Sequence, residues 1–258
     1  NYSYKFKQVW LWNGFPGRKD LGGSDTGIDL VAQTHAGDYW AIQCKCYAEG
    51  ARIEKKHVDS FLATSSRTFL DNDLKTVGFS HRLWIDTTGK RWSANAEEAI
   101  RNQRIPVSRI GLFQLEEAPV EWDKLHKGIS GTSARAPIYE TRPHQKTALE
   151  ATQEYFNQHD RGKLIMACGT GKTFTALRIA ENETKHKGLV LFLVPSIALI
   201  GQTLREWFGQ AVEPINPICI CSDPDISKIK KKGEDADFYS TIDLGQPAST
   251  NVDTIVRS

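Results

Sequence analysis

The sequence lacks both a long apolar run and a secretory leader. None of its 258 residues lies in an apolar stretch long enough to cross a bilayer. The first residues, Asn1 to Lys7, contain no apolar segment of the kind that signal peptides carry. An initiator methionine is also absent, so we expect the chain to be part of a longer cytoplasmic protein with no membrane partner.

A large excess of charge of either sign is absent as well. Lysine and arginine number 33 against 31 aspartate and glutamate residues, which gives a formal net charge of +2. The chain therefore has no basic tail or strong excess of basic residues that would indicate nucleic-acid binding. Any such argument has to come from individual sites.

The chain has few cysteines, and their number is odd. In a chain without a secretory leader, this predicts reduced thiols. The five cysteines are Cys44, Cys46, Cys168, Cys219 and Cys221. Four of them form two Cys-x-Cys pairs, but paired zinc ligands are usually spaced by about two to four residues, and no histidine partner stands beside these pairs. We therefore expect each pair to lie in or beside a β-sheet rather than to bind a metal.

The apolar pattern predicts two α/β domains, at residues 1–115 and 139–258, joined by a linker at 116–138 that loses periodicity and contains Pro, Gly and Ser. In the first domain we predict helices at 3–12, from 54 and at 94–101, with strands at 28–33, 39–47, 77–85 and 107–115. In the second domain we predict strands at 163–167 and 189–194, with helices at 143–157, from 172 and at 196–208. Strand, loop, helix, strand and helix in this order are typical of a doubly wound parallel sheet.

A glycine-rich loop at 166–173, between a predicted strand and a predicted helix, has the composition of a phosphate-binding loop. Its backbone N–H groups and the helix amino terminus would face the phosphates of ATP. The candidate nucleotide-binding residues are Gly169, Thr170, Gly171, Lys172 and Thr173. Lys172 would supply a cation for the β- and γ-phosphates, and the Thr173 hydroxyl would contact Mg²⁺. The widest form of the motif has Gly where this chain has Met166, so the match is partial.

Other parts of an ATPase are missing. No Asp-Glu pair that could hold Mg²⁺ and activate water follows Thr173, and no second motor lobe or arginine finger is recognisable. We therefore expect this segment to bind ATP but not to hydrolyse it efficiently.

A second set of polar residues, Asp29, Gln43 and Lys45, lies on two strands that a predicted hairpin joins. Residues 43 and 45 share one face of their strand, and the hairpin can bring Asp29 beside them. Asp29, Gln43 and the backbone carbonyl of Cys44 would hold Mg²⁺ for phosphodiester cleavage. Lys45 would orient the attacking water or neutralise charge in the transition state. The plain alternative is a hairpin with an exposed Gln and Lys.

These residues resemble the Mrr-like branch of the restriction-endonuclease fold, over roughly residues 10–115. Gly-Gly-x-Asp-x-Gly-x-Asp at 22–29, Gln-x-Lys at 43–45 and Thr87-Thr88 before a helix occur in the order of that branch. The resemblance implies a mixed sheet with flanking helices and a nuclease of the Asp…(Glu/Gln)-x-Lys type. Gln in place of Glu removes a charge, so a further acidic ligand is expected, either Asp25 or a Glu preceding Asn1.

The loop resembles the Ala-x-x-Gly-x-Gly-Lys-Thr theme of superfamily 2 helicases, with one residue fewer before the first Gly. In those motors a Gln upstream of the loop reads adenine, and Arg142-Pro143-His144-Gln145 makes Gln145 the candidate here. Residues 195–202 resemble the next motif, which contacts the nucleic-acid backbone. The resemblance implies a partial RecA-like parallel α/β domain.

Together, a nuclease followed by a motor resembles the amino-terminal part of the single-polypeptide Type ISP restriction–modification enzymes. The resemblance implies a bacterial, cytoplasmic enzyme that translocates on double-stranded DNA with ATP and cleaves it, with methyltransferase and target-recognition domains further along the polypeptide. Two alternatives remain open. The first domain would only bind DNA and anchor a helicase, or the chain would be a Type I motor subunit or a repair helicase–nuclease.

Overall fold

The computed structural model describes residues 2, 5–23, 27–89, 92–101, 103–222 and 240–256, without the side chains of Thr132 and Thr254. Contacts divide the chain into two compact units. The first consists of residues 2–117 together with the described part of 216–256, and the second consists of residues 118–215. Each unit has its own cluster of buried apolar side chains.

A six-stranded mixed sheet forms the centre of the first unit. Its strands are β1 (Phe6–Leu11), β2 (Leu30–Thr34), β3 (Tyr39–Lys45), β4 (Thr68–Leu70), β5 (Thr76–Asp86) and β6 (Val107–Ile110). They lie in the order β1-β2-β3-β5-β4, and β6 also pairs with β5. The β3–β5 and β5–β6 pairs are parallel and the others antiparallel. The mixed sheet predicted from the sequence is therefore confirmed, and the carboxyl ends of β3 and β5 lie side by side.

Within residues 2–117 the described α-helices are α1 (Lys55–Thr64), α2 (Ala94–Ile100) and α3 (Leu112–Glu116). Single turns of 3₁₀-helix lie at Trp12–Gly14 and Pro16–Lys19. Helix α1 buries Val58 and Phe61, as its apolar spacing predicts, and the Phe61 ring lies 5.8 Å from that of Trp84 on β5. This contact fixes α1 on the face of the sheet.

The amino-terminal segment differs from the prediction, and the helix expected at 3–12 is wrong. Phe6–Leu11 is strand β1, in which Trp10 pairs with Val31 of β2. Trp10 also stacks on Tyr39, with ring centroids 6.3 Å apart. Aromatic and β-branched residues favour a strand once a neighbouring strand is available, and that tertiary partner is not visible in the local pattern.

The strand expected at 107–115 is shorter than predicted. Strand β6 ends at Ile110, and α3 begins at Leu112. The Gly111 N–H donates to Gln114 Oε1 over 3.0 Å, so a side chain of the new helix satisfies the backbone where the strand stops. The apolar residues after Ile110 therefore belong to a helix turn rather than to the sheet.

Residues 216–222 and 240–256 group by contact with the first unit, although the sequence pattern assigns them to the second domain. A 3₁₀ turn at Thr241–Leu244 and a short helix at Val252–Val256 lie in this part. Arg109 of β6 donates to Asp243 from Nε over 2.8 Å and to Glu97 of α2 over 2.7 Å. The turn therefore covers the β6 edge of the sheet, and a covered edge is protected from pairing with other chains.

The second unit contains four α-helices: α4 (Trp122–His126), α5 (Pro143–Phe156), α6 (Lys172–Thr184) and α7 (Ile197–Gln210), with a 3₁₀ turn at Gly131–Ala134. Pro143 occupies the first turn of α5, and Ser196 caps α7 by accepting from the Leu199 N–H, both as predicted. Helices α6 and α7 pack through Leu177, Trp207 and Ala211. None of the helices in the described ranges is long and apolar enough to cross a membrane.

The strands predicted at 163–167 and 189–194 are not strands within the described residues. Both segments are irregular, and Ile165 and Leu193 are each 80% exposed. A strand exists only where a neighbouring backbone takes up its N–H and C=O groups, and no described segment lies in that position for either one. The strand predictions at 163–167 and 189–194 are therefore wrong for the described residues: both runs are apolar, but no sheet pairing covers them.

Candidate nuclease and nucleotide sites

Asp29 lies at the junction of three strands. It immediately precedes β2, and its N–H donates to the carbonyl of Ile42 on β3 over 2.9 Å. Its own carbonyl accepts from the N–H of Trp12, just after β1, over 2.8 Å. These two backbone hydrogen bonds fix the position of Asp29, so its carboxylate is presented from a rigid part of the sheet.

The carboxylate of Asp29 points at residues 43 and 44 of β3. Its Oδ2 atom accepts from the Cys44 N–H over 2.7 Å and also from Nε2 of Gln43. Gln43 is only 1% exposed, and its Oε1 atom is buried without a hydrogen-bond partner among the described residues. The structure therefore brings Asp29 and Gln43 together and leaves one buried amide oxygen unsatisfied beside them, which is unusual.

Lys45 is the last residue of β3 and is partly exposed. It shares a face with Gln43, and its partner in the sheet register is Asp86 of β5. Its carbonyl accepts from the Thr87 N–H over 3.1 Å. The sequence-predicted set of Asp29, Gln43 and Lys45 thus lies on one edge of the sheet.

Gly27 explains why glycine precedes Asp29. Its φ angle is +83°, and a Cβ atom there would lie 2.8 Å from Ser60 Oγ and 2.9 Å from the backbone nitrogen of Phe61. Only glycine allows the chain to pass so close to helix α1 in this conformation. Asp25, considered above as a further acidic ligand, lies outside the described residues.

Cys44 has a thiol that is hard to ionise. Burial and the neighbouring Asp29 carboxylate raise its pKa to about 11, although Lys45 opposes them. The thiol is therefore protonated at neutral pH. Because Mg²⁺ prefers oxygen ligands, the contact that the sequence predicts for Cys44 is through its backbone carbonyl.

Asp86 is a residue that sequence reasoning missed. It is 1% exposed, and its carboxylate accepts from the indole N–H groups of Trp84 and Trp92 over 3.1 and 3.2 Å. It also accepts from the Thr88 N–H over 3.0 Å. An acidic residue at the carboxyl end of an apolar strand was the available signal. The four donors around it, which include the Thr88 hydroxyl, show that Asp86 fixes the chain where β5 ends.

Thr87 joins the ends of β3 and β5. Its hydroxyl donates to the Tyr47 carbonyl over 2.7 Å and accepts from the Tyr47 N–H over 2.9 Å. With the bond from its N–H to Lys45, Thr87 therefore holds the chain at Lys45 and two residues beyond it. The sequence places Thr87 and Thr88 before a helix, and the contact to Tyr47 is what the structure adds.

A cleft of about 280 Å³ opens beside Asp29. It is lined by Leu11, Trp12, Asn13, Ile28 and Asp29. The backbone of Asp29 is held by the neighbouring strands, and this cleft allows a molecule outside the sheet to reach it.

The glycine-rich loop of the second unit adopts left-handed angles at both glycines. Gly169 and Gly171 have φ angles of +76° and +78°, and Gly171 directly precedes α6. The Lys172 ammonium donates to the carbonyl of Ala167 over 3.1 Å, so it folds back over the loop. Thr170 donates to the same carbonyl over 2.7 Å. The loop therefore reaches the amino terminus of α6 through two left-handed glycines, with the Lys172 ammonium folded over it, and phosphate-binding loops share these features.

Gln145 lies against this loop and is 4% exposed. Its Nε2 atom donates to the Thr170 carbonyl over 3.1 Å, and its Oε1 atom accepts from the Arg142 N–H over 2.9 Å. His144 Nε2 lies 3.1 Å from the same Thr170 carbonyl, a contact that the sequence did not suggest. The structure thus brings Gln145 to the loop, and one hydrogen of its amide group is used in the hydrogen bond to the Thr170 carbonyl.

Thr173 has a partner on α7 that sequence reasoning missed. The indole N–H of Trp207 donates to the Thr173 carbonyl over 3.1 Å. Burial raises the pKa of the neighbouring Glu206, and hydrogen bonding from Thr173 and Phe174 opposes that rise. Thr173 and Trp207 lie far apart in the sequence, so no local signal predicts their contact.

A mixed sheet that carries a carboxylate, an amide and a lysine at one end, followed by a glycine-rich loop before a helix, is the order expected of a nuclease joined to a helicase-like region. Family comparisons give the same order: the restriction endonuclease model Mrr_cat_2 matches residues 1–132, and the model for the Type III restriction enzyme res subunit matches residues 138–250. The chain belongs to the Mrr-type restriction endonuclease family.

The chain is also similar to solved Type ISP enzymes. The ATP-dependent Type ISP restriction-modification enzyme LlaBIII bound to DNA is 30% identical, with a TM-score of 0.76 over 99% of this chain and 15% of that chain. A nuclease-deletion mutant of the Type ISP enzyme LlaGI, in complex with a DNA substrate mimic, is 40% identical over 46% of this chain and 11% of that chain, with a TM-score of 0.36.

Among curated proteins the chain resembles probable helicases of African swine fever virus. The protein of the Badajoz strain is 34% identical over 184 residues, which are 68% of this chain and 21% of that protein. The protein of the Pretoriuskop isolate is 34% identical over 121 residues, or 45% of this chain and 14% of that protein. The chain therefore spans about a fifth of the length of the curated relatives that it matches.

Proposed function

We propose that the first unit cleaves double-stranded DNA by Mg²⁺-dependent phosphodiester hydrolysis, and that the loop of the second unit binds ATP for translocation on DNA. The observation that carries the proposal is the contact of Asp29 with Gln43 near the end of β3, two residues before Lys45 on the same face, in a chain of the Mrr-type family. We assign cleavage to residues 1–115 and the motor to 139–258, with 116–138 as linker.

The residues at the sheet edge fit a Mg²⁺ ion. Mg²⁺ prefers oxygen ligands, and the site offers the Asp29 carboxylate and the unsatisfied amide oxygen of Gln43. The two ends of the Gln43 amide exchange places by rotation about one bond, so the amide that now donates to Asp29 can present its oxygen instead. The Cys44 carbonyl completes the proposed set. Bound Mg²⁺ would lower the pKa of a water molecule and stabilise charge on the phosphate.

Lys45 supplies the positive charge of the proposed reaction. Its side chain begins on the same face as Gln43, and its backbone is held by Thr87. An ammonium group placed there can orient the attacking water or neutralise the charge that develops on the phosphate oxygens. The rigid attachment of the strand end makes this orientation reproducible from one turnover to the next.

The loop at 166–173 would hold ATP through contacts that its own residues make possible. Left-handed angles at Gly169 and Gly171 are compatible with a loop whose backbone N–H groups bind phosphate, and Lys172 can leave the Ala167 carbonyl for a phosphate. The Thr173 hydroxyl would contact Mg²⁺ at this second site. Gln145 would recognise adenine through the second Nε2 hydrogen and the second Oε1 lone pair, which the contacts with Thr170 and Arg142 do not use.

For the whole protein we propose a restriction enzyme of the bacterial cytoplasm. The resemblance to LlaBIII, whose solved structure is bound to DNA, supports double-stranded DNA as the partner. It also supports methyltransferase and target-recognition domains within the same polypeptide.

Plasmid cleavage tests the nuclease proposal. Full-length protein is incubated with plasmid DNA, ATP and Mg²⁺ or Mn²⁺, and intact DNA is measured for wild type, Lys45→Ala and the exposed-site control Lys75→Ala. We expect cleavage by wild type and Lys75→Ala and none by Lys45→Ala. Equal amounts of intact DNA with wild type and Lys45→Ala would instead identify the first unit as a DNA-binding module that anchors a motor.

A further inference from the structure

His57 lies in the first turn of α1, and one nitrogen of its ring is already engaged. The Nδ1 atom accepts from the backbone N–H of Glu54 over 3.0 Å, which closes a capping box at the start of the helix. A ring nitrogen that accepts a hydrogen bond carries no proton, so the ring proton lies on Nε2. The Nε2–H group has no hydrogen-bond partner among the described residues, and His57 is partly exposed. His57 therefore offers one unused donor.

The position of the His57 ring is set by its contact with Tyr47. The centroids of the two rings lie 5.6 Å apart. Tyr47 is held in turn by Thr87, whose hydroxyl donates to the Tyr47 carbonyl over 2.7 Å and accepts from the Tyr47 N–H over 2.9 Å. The Thr87 N–H donates to the carbonyl of Lys45 over 3.1 Å. Direct contacts therefore connect His57 to the end of β3, where Lys45 lies.

Helix α1 also approaches the segment that carries Asp29. A Cβ atom at Gly27, two residues before Asp29, would lie 2.8 Å from Ser60 Oγ. Ser60 follows His57 by about one helical turn. The first turns of α1 thus contact both the chain just before Asp29 and the chain just beyond Lys45. The beginning of this helix therefore lies at the end of the sheet that carries the proposed nuclease residues.

An uncharged N–H donor suits an anionic ligand beside a metal site, because it binds an anionic oxygen without placing another positive charge near Mg²⁺. The neighbouring lysine of α1 is engaged elsewhere, since Lys55 Nζ donates to both carboxylate oxygens of Asp59 over 2.7 and 2.8 Å. Phosphate oxygens accept a large share of the hydrogen bonds that proteins make to DNA. A phosphate of the DNA backbone is therefore the ligand that fits the His57 donor.

We propose that the Nε2–H group of His57 binds a phosphate of the DNA backbone next to the phosphate that is cut. This inference rests on the proposed nuclease activity of the first unit. Tyr47, which contacts the His57 ring, follows Lys45 by two residues, so the donor lies beside Lys45 and reaches a neighbouring phosphate. A second attachment of the strand keeps the reacting phosphate at Asp29 and Lys45. The contact carries no base-sequence information.

Two substitutions that keep the capping box separate DNA contact from helix capping. Glutamine and glutamate at this position both accept from the N–H of the capping residue, so His57→Gln and His57→Glu should unfold at about the same temperature. Glutamine also has N–H groups for a phosphate, whereas glutamate has none and repels it. With full-length protein, plasmid DNA, ATP and Mg²⁺, we expect His57→Gln to cleave within about threefold of the wild-type rate and His57→Glu at least about tenfold more slowly. DNA-stimulated ATP hydrolysis should be unchanged in both variants.

The dependence on salt gives a second measurement. Salt screens the repulsion between a carboxylate and a phosphate, so the ratio of the wild-type rate to the His57→Glu rate should fall as ionic strength rises from about 50 to about 200 mM. A loss that came only from a weakened helix would give a constant ratio. The matched control is His35→Glu, the same substitution in the exposed turn before β3, at the end of that strand away from Lys45. It should cleave at the wild-type rate.

Equal cleavage rates for His57→Gln and His57→Glu would overturn the inference. A slower rate in His57→Glu that is independent of salt, or that accompanies a lower unfolding temperature, would overturn it as well, because either result assigns His57 to helix capping alone. A wild type that leaves plasmid DNA intact, or wild-type cleavage by Asp29→Ala, would instead overturn the proposed nuclease activity. The two failures are therefore distinguishable.

Discussion

The backbone N–H of Cys44 donates to Oδ2 of Asp29 over 2.7 Å, which ties the carboxylate of one strand to the backbone of the next. Gln43 donates to the same oxygen through its side chain. Asp29 therefore has two donors from neighbouring residues of β3, and its position depends on the register of the β2–β3 hairpin. The proposed chemistry follows from this arrangement and yields predictions that separate metal binding, positioning, stability and ATP use.

Gln43→Glu places a second carboxylate against Asp29 at a position that is only 1% exposed. Without a cation the two charges repel, and an uncompensated buried charge costs about 3 kcal/mol of folding free energy. With Mg²⁺ the added charge becomes a ligand. We expect a lower melting temperature in EDTA, restored by Mg²⁺, and half-maximal cleavage at a lower Mg²⁺ concentration.

Thermal unfolding and cleavage assays across a Mg²⁺ series check the Gln43→Glu prediction. Gln8→Glu adds the same charge at an exposed position of β1 and should show no dependence of stability on Mg²⁺. A Gln43→Glu protein whose stability ignores Mg²⁺ would argue against a cation at this edge of the sheet.

Thr87→Val removes the hydroxyl that both donates to and accepts from Tyr47. The loss of two hydrogen bonds should lower the free energy of unfolding by about 1–3 kcal/mol. Because the chain beyond Lys45 is then less fixed, we expect the cleavage rate at saturating DNA to fall about tenfold while the DNA concentration for half-maximal rate changes little.

The conservative variant Thr87→Ser keeps the hydroxyl and should recover most of the cleavage rate. Thr76→Val, at the exposed beginning of β5, is the matched control. If Thr87→Ser and Thr87→Val cleave at the same rate, Thr87 has no role in positioning Lys45.

How far the sequence predicts this site depends on how local each contact is. Asp29, Gln43 and Lys45 were predictable because a short hairpin and the two-residue period of a strand bring them together. The Thr87–Tyr47 and Trp207–Thr173 contacts were not, because they join segments far apart in sequence. Phe6–Leu11 was misread for the same reason, since its pairing with β2 is a tertiary effect.

We predict that His81 makes the first unit sensitive to acid. Burial, with help from the charges of Lys5 and Arg82, lowers its pKa from 6.5 to about 3. Between these values the unfolded chain binds a proton that the folded chain does not, so stability is complete above about pH 6.5 and falls as the pH decreases toward 3. The slope for this one group is at most about 1.4 kcal/mol per pH unit.

Melting temperatures of wild type and His81→Gln between pH 7.5 and 5 check this assignment. Carboxylate titration below pH 5 is avoided by that range, and the difference between the two proteins isolates His81. We expect the wild type to lose more stability than His81→Gln as the pH falls. Parallel curves would show that His81 contributes nothing to the acid sensitivity.

Lys172→Ala removes the cation that the loop offers to the phosphates. We expect the full-length variant to lose DNA-stimulated ATP hydrolysis by at least about 100-fold, because the charge of the transferring phosphate is no longer compensated. Phosphate release in the presence of DNA measures this, with Lys187→Ala beyond the end of α6 as control. Full hydrolysis by Lys172→Ala would place the ATP site elsewhere.

The most direct test of the central claim compares Asp29→Ala with Asp38→Ala in the full-length protein, measuring DNA cleavage and DNA-stimulated ATP hydrolysis together. Asp38 is exposed at the turn of the same hairpin, away from the proposed metal ligands. We predict that Asp29→Ala loses cleavage by at least about 100-fold while it hydrolyses ATP at the wild-type rate, and that Asp38→Ala keeps both activities. Wild-type cleavage by Asp29→Ala would contradict the account.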